Sequence, residues 1–110
     1  MYLYNFELCE SEYGISCQIM NHNINGDVLT CFYSKYNPPE VVATSFKIGN
    51  NRIYQILNLN ASFSEQPFCL KSEVSPDRKK SILCYIQNKD YNKRNGYCII
   101  YDIDKNLFDS

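Results

Sequence analysis

The sequence has no tryptophan, one histidine, four glycines and four prolines in 110 residues. It also has no apolar run approaching the roughly 20 residues that a membrane-crossing helix needs. Each scarcity excludes a class of function. Without a long apolar run no helix inserts into a bilayer, and no membrane insertion is expected. The glycines at 14, 26, 49 and 96 are too scattered to build a phosphate-cradling loop, so nucleotide chemistry is not expected. The single histidine, His22, sits in the polar stretch Met20-Asn21-His22-Asn23, which leaves a Ser or Cys nucleophile without a positioned base. No catalytic residue, cofactor or enzymatic activity is therefore expected. Eleven Lys+Arg against twelve Asp+Glu give a net charge of -1, so no overall positive field draws in nucleic acid.

What is abundant is cysteine, tyrosine and short apolar alternation. Six cysteines, at 9, 17, 31, 69, 84 and 98, are an even and dense set for so short a chain. Such a set reads as a disulfide framework of an extracellular or surface-exposed domain. No two are closer than eight residues, which does not match the paired ligands of a structural zinc site, and no metal is expected. Met1 is followed by neither a basic segment nor a continuous apolar one, so no secretory signal is visible at this terminus. The secreted reading then needs a signal further upstream or a different native start; the alternative is a cytoplasmic protein with reduced thiols. Asn60-Ala61-Ser62 is a glycosylation sequon and agrees with secretion.

Apolar residues alternate in short runs rich in Tyr, Ile, Val, Phe and Thr, which is an all-β pattern. It predicts strands near 2–9, 13–20, 27–34, 41–48, 52–59, 67–74, 81–87 and 96–103, with a short ninth near 107–109. Asn25-Gly26-Asp27 and Asn95-Gly96 suit positive φ, and Asn37-Pro38-Pro39 and Ser75-Pro76-Asp77 preset a turn's first φ. The chain also repeats weakly. Ile15-Ser16-Cys17 through Ile48 to Ile53 runs parallel to Pro67-Phe68-Cys69 through Ile103 to Phe108, at offsets drifting from 52 to 55. The chain thus reads as a single module with repeat units of about 13–59 and 65–110, each of about four strands, the size of one propeller blade.

Directly opposed residues of a hairpin are equidistant from its turn. Cys17 and Cys31 are centred on Ile24, and Cys69 and Cys84 between Pro76 and Asp77, so one cross-strand disulfide per unit is expected. Cys84 and Cys98 are also centred on a loop, at Tyr91, and compete; the repeat favours Cys69. Cys9 and Cys98 are then left to pair with each other or outside the chain.

Ser75-Pro76-Asp77-Arg78-Lys79-Lys80, followed by an apolar strand, resembles the Ser-Pro-Asp-Gly-Lys turn of TolB-like and WD-type β-propeller blades. Ile100-Tyr101-Asp102-Ile103-Asp104-Lys105-Asn106 resembles their third strand and following turn. The resemblance covers about 40 residues, with Arg78 where that turn usually has Gly. It implies two antiparallel four-stranded blades. Because a ring needs about four to eight blades, it also implies either further blades in a longer chain or a homo-oligomer. The competing architecture is a disulfide-stapled β-sandwich of about eight strands.

Two stretches have oxygen-bearing residues at alternate positions, as calcium loops do: Asn21-x-Asn23-x-Asn25 and Asp102-x-Asp104-x-Asn106. Ordinary β-turns account for both. Lys71, Arg78, Lys79, Lys80, Lys89, Lys93 and Arg94 form the only basic concentration, expected at one end of a sheet. Ten tyrosines offer large contact area with a hydroxyl handle, a composition enriched at interfaces. The reading is a protein-binding module whose loop tips, Tyr36, Asn37, Tyr91, Lys93 and Arg94, make the contacts. The alternative is an intracellular assembly unit whose strand edges stack on neighbouring copies.

Overall fold

A computed structural model describes residues 14–35, 37–49, 51–63, 67–87 and 95–109. Eight strands follow one another: β1 (Ile15–His22), β2 (Gly26–Lys35), β3 (Glu40–Gly49), β4 (Arg52–Ser62), β5 (Phe68–Val74), β6 (Lys80–Gln87), β7 (Asn95–Asp102) and β8 (Leu107–Asp109). They form two antiparallel meanders, ordered β1-β2-β3-β4 and β5-β6-β7-β8. The alternation that predicts strands is the alternation that sorts their faces. Along β2, Val28, Thr30, Phe32 and Ser34 are buried, while Asp27, Leu29, Cys31 and Tyr33 point the other way. The expected strand at 2–9 lies outside the described residues.

Turn chemistry follows the sequence at some positions and departs from it at others. Gly26 closes the β1–β2 turn at φ 72°, as the Asn-Gly pair predicts. Asn95 and Gly96 do not make a turn: they are the first residues of β7, paired with Gln87 and Ile86. Arg78 adopts φ 60°, the left-handed conformation that glycine takes without steric cost. Its N–H donates to Ser75 O at 2.9 Å, and its guanidinium lies 3.2 Å from Asp27, so the turn forms without the glycine.

Two disulfides join adjacent strands, Cys17 to Cys31 and Cys84 to Cys98. The first is the pairing that the turn at Ile24 predicts. The expected Cys69–Cys84 link is not formed, and the reason is local. The β5–β6 register slips between Phe68 and Lys71, Cys69 sits in that irregularity at φ 57°, and Lys71 stands opposite Cys84. Cys84 instead faces Cys98 across β6–β7, in the register centred on Tyr91. Cα separations of 4.1 and 4.2 Å place both links near the close, non-hydrogen-bonded type of antiparallel pair. Cys98 is therefore not left over to pair with Cys9 or outside the chain, because the β6–β7 register gives it to Cys84; Cys69 is disulfide-bonded too, and Cys9 lies outside the described residues.

The sheets stack in the same orientation. Contacts between β1 and β5 advance together: Gly14 lies against Leu70, Ser16 and Gln18 hydrogen-bond Ser72, and Asn21 N–H donates to Arg78 O. β5 therefore runs parallel to β1. Strand order also corresponds, since Phe32 of β2 meets Tyr101 of β7 and the β7–β8 turn reaches Asn58 of β4. Between the sheets lies one core, in which Met20, Val28, Phe32, Val41 and Ala43 of the first pack on Leu70, Leu83, Tyr85 and Tyr101 of the second. Phe32 and Tyr101 meet edge to face with ring centroids 5.4 Å apart.

One buried polar chain crosses this interface. Ser45 hydrogen-bonds the Tyr101 oxygen, and the Tyr101 hydroxyl donates to Asn106 Oδ1 at 2.6 Å. Thr30 Oγ1 and Ser45 Oγ share a buried hydrogen bond at 2.8 Å. Burial pushes the Tyr101 pKa up to about 12, against the lowering effect of Ser45. Because the folded value exceeds the unfolded one, the neutral phenol's contribution is full below about pH 10 and is lost as pH rises from 10 to 12. Tyr101→Phe leaves Ser45 and Asn106 without their partner. It is expected to destabilise by about 1–3 kcal/mol at pH 7 and to flatten the alkaline decline, both read from urea unfolding across pH.

Candidate functional site

The two ends of the meanders differ in kind. The β1–β2, β5–β6 and β7–β8 turns share one end, where they are locked together by a single ammonium. Lys79 Nζ donates to Asn21 O and to Asn23 Oδ1, each at 2.9 Å, and lies 3.2 Å from Asp104 Oδ2. The other Asp104 oxygen accepts from Asn23 N–H at 2.8 Å. The two calcium-like stretches are thus brought together by the fold, with a lysine cation held by their oxygens. Among the described residues no group of three or more His, Cys, Asp or Glu is placed to hold a metal. His22 Nδ1 is engaged within its own turn by Asn25, whose backbone N–H lies at 3.2 Å.

Asp27, Asp77 and Asp104 are each held below the ordinary value of 3.8. For Asp27 the causes are the Asn21 amide and then Arg78; for Asp77, the Ser75 hydroxyl and then the Lys79 N–H. Burial pushes Asp104 up, but the Asn23 N–H and Lys79 outweigh it. Depressed carboxyls stabilise the fold fully above about pH 4 and lose that contribution as pH falls through their folded values.

Four residues of the expected basic patch are described. Arg78, Lys79 and Lys80 lie at the clamped end or beside it, and two of them are paired with Asp27 and Asp104. Lys89, Lys93 and Arg94 lie outside the described residues. Lys71 stands mid-strand in β5.

Asn37 lies in the β2–β3 turn, exposed, at the end where β6 finishes and β7 begins. Tyr36, Tyr91, Lys93 and Arg94 lie outside the described residues. Asn60 is exposed on β4, donating to Glu40 Oε2 at 3.0 Å and accepting from Asn58 at 3.1 Å.

Sequence reasoning missed the outward faces. On the first sheet, Ile15 and Ile19 flank Cys17, and Leu29 and Tyr33 flank its partner Cys31, all pointing away from the core. Ile15 is 73% exposed and Ile19 47%. On the second sheet, Ile82 flanks Cys84 and Ile100 flanks Cys98, each isoleucine 41% exposed. A shallow depression of about 290 Å³ opens beside Ile15 and Tyr33, and one of about 240 Å³ beside Ile82 and Ile100. On the second sheet that face also carries the exposed Lys71 opposite Cys84 and Glu73 opposite Ile82, while Ile86, at the same parity as Cys84, is fully buried with Phe68 and Cys69. The signal was present in the strings Ile-x-Cys-x-Ile and Cys-x-Ile, whose period of two puts these residues on one face.

No protein-family model, curated protein or solved structure matches the chain.

Lys79→Ala removes the cation from three oxygens in a partly exposed site. It is expected to lower unfolding free energy by about 1 kcal/mol at pH 7 and to weaken the loss below pH 4, measured by denaturant titration at both pH values.

Proposed function

We propose that this chain is a non-enzymatic recognition module of an extracellular or surface-exposed protein, built from two propeller-like blade units and binding another protein. The observation that carries the reading is the pair of cross-strand disulfides, Cys17–Cys31 and Cys84–Cys98, on the outer faces of the sheets. Outward disulfides are maintained in oxidising surroundings and are rare where glutathione keeps thiols reduced. The blade reading is supported by the two four-stranded meanders, stacked with matching strand order and with β1 parallel to β5. Blades in this form belong with further units, either the remainder of a longer chain or other copies.

Recognition is assigned to the loop residues Tyr36, Asn37, Tyr91, Lys93 and Arg94, of which Asn37 is exposed in the β2–β3 turn. The strands are the scaffold. The clamped end is less suited to the task, because its charged groups are spent on one another through Lys79, Arg78, Asp27 and Asp104. A glycan on the exposed Asn60 belongs to the same secretory reading.

Intact mass after alkylation without reduction, on protein from its native source, tests this. No thiol should react, and peptide mapping should recover Cys17 linked to Cys31 and Cys84 linked to Cys98. Reactive thiols at these four positions would sink the extracellular reading.

A further inference from the structure

The chain contains two Asn-Gly steps, Asn25-Gly26 and Asn95-Gly96, and the fold treats them differently. At such a step the backbone nitrogen of the glycine can attack the asparagine side chain, because glycine has no Cβ to crowd the approach. Sequence alone ranks the two alike. Asn95 and Gly96 are strand residues, in register with Gln87 and Ile86 of β6. Ring closure there has to break the extended geometry that the ladder holds. Asn25 belongs to no strand: it is half-buried in the β1–β2 turn. Gly26, at φ 72°, is the terminal ladder residue, opposite His22, and terminal pairs open at little cost. The space where a Gly26 Cβ would stand has no atom within 4 Å beyond the chain neighbours.

Electrostatics separates the two steps further. Lys47 Nζ, from β3, donates to Asn25 O at 2.5 Å. That oxygen belongs to the peptide group whose nitrogen is Gly26 N. A cation on it stabilises the negative charge that this amide acquires when Gly26 N–H loses its proton, so the nucleophile is more populated here. The Asn25 side-chain nitrogen hydrogen-bonds His22 Nδ1 at 3.0 Å, and the carboxamide turns from there toward Gly26 before the ring closes.

We infer that Asn25 is a spontaneous modification site of the folded protein, converted with water to aspartate and isoaspartate, and that Lys47 promotes the conversion. Hydroxide takes the Gly26 N–H proton, and the nitrogen bonds to Asn25 Cγ. The Cγ–Nδ2 bond breaks, and ammonia leaves with a proton from water. Water then opens the five-membered imide at either carbonyl. Opening at Cγ leaves an aspartate, whereas opening at the main-chain carbonyl routes the backbone through the side chain and lengthens it by one carbon. The turn so lengthened carries Asn23, whose N–H meets Asp104 and whose Oδ1 meets Lys79, so isoaspartate displaces the contacts that join this turn to the second sheet. None of this chemistry depends on the extracellular or recognition readings.

Ageing the disulfide-bonded protein at neutral pH, followed by peptide mapping that separates asparagine, aspartate and isoaspartate, reads both steps in one sample. In the folded protein Asn25 should convert at least about tenfold faster than Asn95, and in guanidinium chloride, where the two steps lose their different surroundings, the rates should converge. Lys47→Gln should slow Asn25 about tenfold, the effect of one unit of amide acidity, and leave Asn95 unchanged. Should that variant lose the native circular dichroism, the comparison of the two steps in the native chain decides alone. The isoaspartate fraction should unfold at lower denaturant than Asn25→Asp, which carries the same charge on a backbone of normal length. Equal folded rates, an Asn25 that stays intact, a rate ratio unchanged by denaturant or a folded Lys47→Gln converting at the native rate would overturn the inference. An isoaspartate fraction as stable as Asn25→Asp would overturn the loosening of the turn.

Discussion

Neither four-stranded sheet can bury its inner face alone, and the contact between Phe32 and Tyr101 is where each supplies what the other lacks. Full burial of side chains of this size contributes about 1.5–3 kcal/mol each, and both rings are wholly inaccessible to solvent. Tyr101 brings a hydroxyl into that dry space, which requires partners. Ser45 from one sheet and Asn106 from the other provide them. A satisfied buried polar chain of this kind fixes the relative placement of the sheets more narrowly than apolar packing does, because hydrogen bonds tolerate little displacement.

The disulfides play a different part. Cys17–Cys31 and Cys84–Cys98 lie on the outside of the sheets, each joining neighbouring strands within one meander. They hold local pairing and contribute nothing to the contact between sheets, which depends on the core and on the clamp at Lys79. Their position also means that residues two places away share their face, among them the exposed Ile15, Ile19, Ile82 and Ile100 and the buried Ile86. Staple and apolar patch are consequences of one periodicity.

The strands were legible because a period of two is a local property, and strand pairing between neighbours follows from short connections. Cys17–Cys31 was legible for the same reason: the β1–β2 hairpin is tight and regular, so counting from Ile24 locates the partner. Counting failed for Cys69 because the irregularity between Phe68 and Lys71 displaces it from the register that the turn implies. Lys79 shows the converse. Two stretches with oxygen donors at alternate positions were visible in the sequence, but they lie about eighty residues apart and only the stacking of the sheets carries them to one cation.

By itself, then, the sequence determined an all-β chain, the bounds of most of its strands, the grouping into two four-stranded units and one disulfide. These rest on alternation, turn residues and short-range counting. The tertiary structure decided which parity of each strand faces inward, which cysteine Cys84 takes, where the charged turns end up and how one sheet lies on the other. Alternation marks two faces but does not say which is buried when both are apolar. That choice is made only when the second sheet arrives, by the residues it brings to cover one face and the residues it leaves on the other.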